Sequence, residues 1–269
     1  MSLKIVVLAK QVPDTRNVGK DAMTPEGTVN RAALPAIFNP EDLNALEQAL
    51  RIKEQQPDVT VGLLTMGPPR AGEIIREGLY RGADTGWLLT DRLFAGADTL
   101  ATSYALATAI KKIGDVDLVI GGRQAIDGDT AQVGPQVAEK LGLTQITYTE
   151  EILSLDKEAG KIVARRHIDG GVETVEGPLP IVVTVNGSAA PCRTRNVKRV
   201  WANKNREFTT WGAADIDADP MQIGKAGSPT NVKAVKSIVF KAKENKTLTA
   251  SDADVESLIV ELMESNTIG

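Results

Sequence analysis

The sequence contains one cysteine, Cys192, and one histidine, His167, among its 269 residues. An iron–sulfur cluster needs about four cysteine thiolates, and structural zinc needs a similar set of cysteine and histidine ligands. One chain of this composition can build neither centre. No second cysteine could resolve an oxidised Cys192, and no nucleophile motif lies near His167 in "ARRHIDGG". We therefore expect both residues to be structural and any redox chemistry to come from a bound organic cofactor.

Long hydrophobic runs are also missing. The longest, such as "IVVTV" at 181–185, have the length of a strand, whereas a membrane-spanning helix needs roughly 20 apolar residues. The opening "MSLKIVVLAK" is too short for a signal peptide and reads as a first strand. A formal net charge of -4 argues against sequence-independent nucleic-acid binding, which needs a basic surface. These features predict a cytoplasmic protein with no direct membrane span and no nucleic-acid partner.

Apolar runs alternate with helix patterns through the first half of the chain. Runs rich in Val, Leu or Ile predict strands at 3–9, 59–66, 85–90 and 116–122. Continuous hydrophobicity, rather than alternation, is typical of parallel strands that are covered on both faces. Apolar residues at spacings of three and four predict helices at 41–53 and 97–113. The predicted fold class is therefore α/β, with a doubly wound, mostly parallel sheet.

The pattern changes after about residue 145. Short strands joined by tight turns, as in "KIVARRHIDGG" and "LPIVVTVNG", should extend or flank the first sheet. Beyond Asn186 the periodicity is lost until an amphipathic helix at 251–265, for which Ser251 is the expected N-cap. Because that helix has a definite apolar stripe, we interpret the segment as an extended arm laid on another subunit rather than a disordered tail. The predicted division is an α/β domain, 1–189, followed by a loop and C-terminal arm, 190–269.

Three stretches could bind a ligand at the carboxyl ends of the strands, where ligands sit in open α/β sheets. Ala9 ends the first strand and is small enough to let a flat ring approach. "FNPED" at 38–42 has the residues of a helix start, with Asn39 as N-cap. In "GGRQAIDGDTAQV" at 121–133, glycines end a strand, and Asp129 or Thr130 could cap the next helix, whose free N–H groups can hold an anion.

Two familiar nucleotide motifs are missing from these stretches. No GxGxxG fingerprint follows the first strand, and no GxxxxGK[ST] loop is present. Both absences disfavour classical dinucleotide dehydrogenases and P-loop nucleotide hydrolases. Asp127 and Asp129 would repel a naked triphosphate, but they suit ribose hydroxyls or a nucleotide whose phosphates point elsewhere. The residues alone therefore favour an adenine nucleotide at the carboxyl edge of the sheet.

A longer pattern runs through residues 164–184: Ala164, Arg166, Asp169, Gly170, Gly171, Glu173, Val175, Pro180 and Val182-Val183-Thr184. This spacing resembles the diagnostic motif of the electron transfer flavoprotein β subunit. Other blocks are similar to that family as well: "LAKQVPDT" at 8–15, "NPED" at 39–42, "GADT" at 82–85 and "GRQAIDGDTAQVGP" at 122–135. The resemblance covers the chain from its first strand through the C-terminal arm, and it implies an adenine-nucleotide-hydrolase-like form of the fold.

The resemblance implies a heterodimer with an α subunit that carries a flavin, in which this chain transfers electrons without acid–base or nucleophilic catalysis of its own. It also implies that an adenine nucleotide is held by the matching residues, with Arg123 and Gln124 the best candidates to touch phosphates or flavin. In ordinary members that nucleotide is a structural AMP, and in electron-bifurcating members it is a second FAD. The implied cofactor-binding residues are Ala9, Asn39, Pro40, Glu41, Asp42, Met66, Gly122, Arg123, Gln124, Ala125, Ile126, Asp127, Gly128, Asp129, Thr130, Ala131, Gln132 and Val133.

Three stretches, 88–107, 127–135 and 223–232, resemble the bifurcating branch and the related Fix-type proteins of nitrogen fixers. In that branch FAD accepts hydride from NADH and one electron goes to ferredoxin or flavodoxin. The other passes through the α-subunit FAD to an acyl-CoA-type dehydrogenase or quinone reductase. Small Gly128 and Thr130 leave room for a dinucleotide, and the small, open turn after Asp91 could admit nicotinamide. The predicted NADH contacts are Thr90, Asp91, Phe94, Gly96, Ala97, Asp98 and Thr99.

The segment "APCRTRNVKRV" at 190–200, called here the basic loop, falls where the family has the loop by which the β subunit recognises dehydrogenases. Its cations predict docking to an acidic surface, although a solvated charged turn would look the same. Two alternatives to the bifurcating function stay open. One is a non-bifurcating β subunit with structural AMP. The other is a stand-alone adenine-nucleotide sensor or hydrolase, which the absence of an "SGGxDS" loop disfavours.

Overall fold

The computed structural model describes residues 2–14, 35–230 and 245–268, and the chain forms two compact units, 1–233 and 234–269. The helices are α1 (Pro40–Gln55), α2 (Gly72–Arg81), α3 (Thr99–Ile113), α4 (Val133–Leu141), α5 (Val197–Asn203) and α6 (Asp252–Glu264). The strands are β1 (Leu3–Leu8), β2 (Gln11–Pro13), β3 (Ala36–Phe38), β4 (Val59–Met66), β5 (Thr85–Leu89), β6 (Leu118–Gly122), β7 (Thr144–Asp156), β8 (Lys161–Ile168), β9 (Gly171–Pro178), β10 (Ile181–Val185) and β11 (Thr209–Trp211).

The central sheet of the first unit has nine strands in the order β11-β5-β4-β1-β6-β10-β7-β8-β9. All neighbours from β11 to β7 pair in parallel, whereas β7–β8 and β8–β9 pair antiparallel. The predicted doubly wound, mostly parallel sheet with added strands is therefore confirmed. Strands β8 and β9 are joined by the tight turn expected at Gly170, whose φ of +85° favours glycine.

The strand order reverses at the middle of the sheet. From β1 the chain builds outward on one side through β4 and β5, and it then returns through α3 to β6 on the other side of β1. Such a reversal opens a crevice beyond the carboxyl ends of the two central strands. This crevice lies between the end of β1 at Ala9 and the end of β6 at Gly122.

The residues of β1 show how both faces of the sheet are covered. Ile5 and Val7 are buried in one core together with Leu46 of α1. Val6 and Leu8 are buried in a second core, which the inner faces of α3 and α4 complete. Because helices cover both faces, every residue of β1 except Lys4 is apolar and buried, which explains the nearly continuous hydrophobic run.

Strand β11 corrects the prediction that the chain stays irregular after Asn186. Thr209 in β11 pairs in parallel with Trp87 in β5, and Ile216 and Ile223 are buried in the same core as α3. Single buried anchors in an irregular stretch produce no periodicity, so the sequence pattern missed them. The first compact unit, 1–233, therefore includes these residues together with the predicted domain 1–189.

Periodicity also fails to predict α2, α5 and the small antiparallel β2–β3 sheet. In α2, the glycine at position 78 lowers the helical signal, yet it has a packing role. A Cβ on Gly78 would lie 2.6 Å from Leu63 side-chain carbons, so glycine allows α2 to approach β4 closely.

The second unit is described over residues 245–268 and contains α6. The Ser251 side chain accepts a hydrogen bond from the Asp254 N–H, which confirms the predicted N-cap. Of the residues that form the predicted apolar stripe, Val255, Leu258 and Ile259 are exposed and Leu262 is partly buried. Among the residues described in either unit, no helix is long and apolar enough to cross a membrane.

Candidate functional site

The first turn of α1 joins the ends of the two central strands at the crevice. The Asp42 carboxylate accepts a hydrogen bond from the Lys10 N–H at 2.8 Å and another from the Gly122 N–H at 3.0 Å. Asp42 is buried, and its desolvation raises the pKa of the carboxyl to about 7, against the lowering effect of hydrogen bonds from Asn39, Lys10 and Gly122. The carboxyl group therefore ties β1 to β6 at the point where the crevice opens.

Asn39 is the N-cap residue of α1 by position, as predicted, but its side chain does not cap the helix. Its Nδ2 donates to the Gln124 carbonyl at 2.9 Å, and its Oδ1 accepts from the Ile126 N–H at 3.2 Å. Asn39 is fully buried. The side chain thus satisfies two backbone groups of the partly buried loop after β6.

Glu41 is the second residue of the helix that holds this loop. Its two carboxylate oxygens accept from the Arg123 Nη2 at 3.0 Å and from the Gln124 N–H at 2.9 Å. The Arg123 guanidinium also lies over the Tyr148 ring, 5.4 Å from its centroid. Partial burial acts to lower the pKa of Arg123, but the hydrogen bond and charge of Glu41 raise it above its ordinary value.

A cavity of about 850 Å³ lies above these residues, within the size range of small-molecule and cofactor sites. It runs from the β1–β6 crevice along the loop after β6 to the start of α4, and across to the 90–99 loop after β5. The predicted cofactor residues that line it are Ala9, Asp42, Met66, Gly122, Arg123, Gln124, Ala125, Gly128, Asp129, Thr130, Ala131, Gln132 and Val133. All the predicted NADH contacts line the same cavity: Thr90, Asp91, Phe94, Gly96, Ala97, Asp98 and Thr99.

Five residues of the predicted set do not line the cavity: Asn39, Pro40, Glu41, Ile126 and Asp127. The first three lie at the start of α1, and Asn39 and Glu41 instead hold the loop that forms the cavity wall. Asp127 accepts a hydrogen bond from the Lys10 Nζ at 2.7 Å. Its negative charge is therefore offset by a cation next to the crevice.

The prediction that Asp129 or Thr130 caps α4 is wrong. The helix begins at Val133, and no side chain caps it. Asp129 instead accepts a hydrogen bond from the Gln124 Nε2 at 3.0 Å, and both Asp129 and Ala131 adopt positive φ angles near +50°. A positive φ is uncommon in residues other than glycine, so the backbone of Asp129 and Ala131 has a rare conformation where it lines the cavity.

Two aspartates hold the 90–99 loop in place. Asp91 accepts from the Leu93 N–H at 3.0 Å and the Ala213 N–H at 3.1 Å, and these bonds lower its pKa. Asp98 caps α3 by accepting hydrogen bonds from the N–H groups of Leu100 and Ala101. Desolvation would raise the pKa of Asp98, but its backbone hydrogen bonds outweigh that effect and lower it.

The stretch 223–230 contacts this loop, a proximity that the sequence pattern could not give. The Thr230 N–H donates to Asp98 at 3.1 Å, and the Ser228 hydroxyl accepts from the Asp98 N–H at 2.8 Å. Gly224 has a φ of +52°, and a Cβ there would lie 1.9 Å from the Leu93 carbonyl oxygen. Sequence reasoning also missed several cavity-lining residues, among them Lys10, Arg92 and the β10 residues Val182, Val183 and Thr184.

The residues present fit an adenine nucleotide or dinucleotide. The first N–H groups of α4, at Val133 and Gly134, have no partner within the helix and border the cavity, so they can receive an anionic group. A Cβ on Gly128 would meet nothing within 4 Å, which leaves that side of the cavity open. The Arg123 Nε is buried with no hydrogen-bond partner in the described residues, which is the kind of donor that a ligand can satisfy.

The single cysteine and histidine do not line the cavity. Burial raises the pKa of Cys192 to about 11, so its thiol is protonated at neutral pH. His167 lies on β8 with half of its side chain exposed, 3.5 Å from a Glu150 carboxylate oxygen. Within the ranges that the structure describes, no group of three or more His, Cys, Asp or Glu residues could hold a metal ion.

Comparison with known proteins bears on what this cavity serves. A family model described as the electron transfer flavoprotein domain matches residues 26–216, more than half of the chain. The chain belongs to the electron transfer flavoprotein family. It is 46% identical over 230 residues to the caffeyl-CoA reductase-Etf complex subunit CarD of Acetobacterium woodii, and the match covers 86% of each chain.

Two further relatives of this flavoprotein chain align over nearly their whole length. The electron transfer flavoprotein subunit beta of Megasphaera elsdenii is 40% identical over 272 residues, covering 96% of this chain and 99% of the relative. Protein FixA of Azorhizobium caulinodans is 41% identical over 267 residues, covering 97% and 94%. The expected β-subunit family is confirmed, and with it a role as an electron-transfer subunit.

Proposed function

We propose that this β subunit holds FAD in the cavity at the β1–β6 crevice and uses NADH as the electron donor for flavin-based bifurcation. One electron would go to ferredoxin or flavodoxin. The other would go through the FAD of the α subunit to a partner dehydrogenase or quinone reductase. The complex would work in the cytoplasm.

One observation carries this proposal. The predicted nucleotide residues at 122–125 and 128–133 line one continuous cavity of about 850 Å³ together with the predicted NADH residues of the 90–99 loop. A structural mononucleotide would need only the part of the cavity between β1, β6 and α4. A cavity that continues to a second loop supports a dinucleotide that meets a second, diffusible ligand.

The residues of the chain have separable roles in this scheme. The N–H groups at the start of α4 and the Arg123 guanidinium face negative charge, while Ala9 and Gly128 give room for a flat group. Lys10 offsets the charge of Asp127 beside the crevice. When bound, FAD supplies acceptance of hydride from NADH and one-electron transfer, chemistry that no side chain here offers.

The 90–99 loop is suited to admit a diffusible donor without rearranging. Asp91 and Asp98 bind backbone N–H groups on both sides of it, so the loop is held in one conformation before NADH arrives. Its cavity-lining residues Ala95, Gly96 and Ala97 are small. A fixed and open rim lowers the entropy cost of binding a flat nicotinamide ring.

The relatives support the assembly. One is named as a subunit of a caffeyl-CoA reductase-Etf complex, which supports a coenzyme-A-linked reductase or dehydrogenase as the final partner. Others carry the name FixA, which supports the Fix-type branch expected from the sequence. We propose that the second unit, whose α6 exposes an apolar stripe, packs on the α subunit.

We propose that α5, which begins within the basic loop at Val197, forms the docking surface for the partner dehydrogenase. Val197 and Trp201, one turn apart on α5, are 83% and 75% exposed. Of the basic residues, Arg193 is bound to Glu47 and Glu54, so it supports the loop instead of meeting a partner. Exposed aromatic residues beside cations are typical anchors of protein interfaces.

Copurification with the α subunit tests the cofactor assignment. We expect two FAD per heterodimer and bleaching of flavin absorbance when NADH is added without any acceptor. One FAD and one AMP per heterodimer would reject bifurcation and leave the AMP-binding scaffold. A colourless monomer that binds ATP would place the chain outside this electron-transfer function altogether.

A further inference from the structure

Two roles can be distinguished at the cavity: some residues hold its wall in place, and others line it and can contact the ligand. Asn39, Glu41 and Asp42 all hold the wall. We propose that the first turn of α1 is a positioning device for the loop 122–126, and that Glu41 acts on the bound nucleotide through Arg123. This inference rests on the proposed function only in that some nucleotide occupies the cavity. It replaces the sequence-based expectation that Glu41 and Asn39 are themselves nucleotide contacts.

The hydrogen bonds of the first turn account for nearly every residue of the loop. Glu41 accepts hydrogen bonds from the side chain of Arg123 and from the N–H of Gln124. Asn39 donates a hydrogen bond to the Gln124 carbonyl and accepts one from the Ile126 N–H. Counting Asp42, which accepts from the Gly122 N–H, three residues at the start of α1 therefore make four hydrogen bonds to the backbone at three positions, 122, 124 and 126.

Arg123 transmits this constraint into the cavity. Its side chain is held on one side by Glu41 and on the other by the Tyr148 ring, and Arg123 lines the cavity whereas Glu41 does not. A guanidinium that is fixed in this way loses little entropy when it binds an anionic or polar group. Without Glu41, the Arg123 guanidinium would keep its charge but would no longer be held in one orientation.

Gly122 makes the close contact between helix and loop possible. A Cβ at this position would lie 2.5 Å from Asp42 Oδ1 and 2.7 Å from the Glu41 carbonyl carbon. The glycine therefore lets β6 end directly against the helix turn. Its role follows from packing against α1, independently of any ligand.

Helix α1 itself supplies a matched control. Glu47 also accepts hydrogen bonds from one backbone N–H and one guanidinium of Arg193, at 3.0 and 2.9 Å, together with a longer one from the Arg51 Nε at 3.3 Å. Glu47 is 7% exposed at its side chain and Glu41 is 13% exposed. The two glutamates thus have the same kind of bonding and similar burial, but Glu47 lies away from the cavity.

The experiment compares Glu41→Gln with Glu47→Gln in the copurified αβ complex. Glutamine keeps the size and one acceptor oxygen, so both variants should fold with similar small losses in thermal midpoint. We expect Glu41→Gln to weaken binding of the β-subunit nucleotide about tenfold, as for a lost charged hydrogen bond. Glu47→Gln should leave that affinity unchanged. Equal affinities for the two variants would overturn the proposal.

A double-mutant cycle with Arg123→Gln shows whether Glu41 acts through Arg123. If it does, Glu41→Gln should change the affinity by less than twofold when Arg123→Gln is already present, because the effects of coupled residues do not add. Additive losses would mean that Glu41 contacts the nucleotide directly, which overturns the inference. If the unsubstituted complex holds AMP in place of the second FAD, the proposed function fails, and the same series measured with AMP still decides this inference.

Discussion

Two positions on α1 hold two different loops with the same chemistry: the amino end at Glu41, and a position near the middle of the helix at Glu47, called here the basic end. At the amino end Glu41 accepts the Gln124 N–H and the Arg123 guanidinium, and further along Glu47 accepts the Arg193 N–H and its guanidinium. The first pair shapes the wall of the cavity, and the second anchors the basic loop beside the docking surface. One helix therefore fixes both the proposed cofactor site and the proposed partner site to the same side of the sheet.

The ends differ in how their buried charge is compensated. Burial tends to raise the pKa of Glu47, but the hydrogen bonds and charge of Arg193 lower it below its usual value. Burial raises the pKa of Asp42 to about 7, because its partners are mainly backbone N–H groups and Lys10 acts only from a distance. The basic loop is thus held by an ion pair between Glu47 and Arg193. At the crevice, β1 and β6 are joined by the Asp42 carboxyl group, whose ionisation is unfavourable.

The largest expected effect comes from removing the close contact at the amino end. In Gly122→Ala, the new methyl group would lie within 2.8 Å of backbone atoms of Glu41 and Asp42, which cannot move without shifting α1. We expect a loss of about 2–3 kcal/mol in the free energy of unfolding, together with loss of the bound nucleotide. Urea unfolding and nucleotide content measure both.

Gly128→Ala is the matched control for that substitution. It adds the same methyl group to the same loop, where nothing lies within 4 Å. Its free energy of unfolding should stay within about 0.5 kcal/mol of the unsubstituted protein. If Gly122→Ala were equally mild, the close approach of the helix turn to β6 would not matter for the fold.

The second effect tests the basic end. Arg193→Ala removes the main partner of Glu47, which is nearly buried and keeps a longer contact to Arg51 at 3.3 Å, and it also releases Glu54, which is exposed. We expect a loss of about 1–2 kcal/mol in the free energy of unfolding, with most of it due to the lost guanidinium bonds to Glu47. Electron transfer to the partner dehydrogenase should slow, while the flavin content of the αβ complex stays unchanged. A loss of flavin here would mean that the two ends of α1 are not independent.

The third effect separates the ends by pH. The folded-state pKa of Asp42 is raised, so its contribution to stability is complete below the unfolded value of 3.8 and is lost as the pH rises through about 7. The stability of the unsubstituted protein relative to Asp42→Asn should therefore fall by about 1 kcal/mol between pH 6 and pH 8. Glu47 has a lowered pKa, so its contribution is present above its unfolded value of 4.5 and is lost only at lower pH. A Glu47→Gln variant should show no such change between pH 6 and pH 8.

The sequence predicts the elements with long apolar runs and the crevice between them. Strands such as β1 and β4 are continuous hydrophobic segments because helices cover both faces, and the glycines after β6 mark its carboxyl end. The parallel class and the position of the candidate site follow from those two signals. The family resemblance then adds residue identities that periodicity alone could not supply.

The remaining features depend on contacts between residues that are distant in sequence. Glu41 and Asn39 have the composition of a helix start, and only the fold shows that their side chains point to a loop more than eighty residues away. The hydrogen bond from the Thr230 N–H to Asp98 and the pairing of β11 with β5 at the edge of the sheet likewise produce no local pattern in the sequence. Local propensity cannot predict such pairings, because the same residue types are also found in helix caps and turns, where they bond to their own neighbours.

The smallest effect on the fold is expected on the docking surface. Trp201 is 75% exposed and contacts the ammonium group of Lys204, 3.8 Å from its ring centroid, so Trp201→Ala should leave the free energy of unfolding within about 0.5 kcal/mol. Binding of the partner dehydrogenase should weaken by about 1–3 kcal/mol, because exposed tryptophans beside cations are frequent anchors of interfaces. Titration of the αβ complex with the partner measures the affinity, and NADH bleaching of the flavin should be unaffected. The surface is held both by the Arg193–Glu47 pair on α1 and by α2, where the Arg81 carbonyl accepts a hydrogen bond from Arg199 at 2.9 Å, so a change in bleaching would show that partner docking and the cavity are coupled through these contacts.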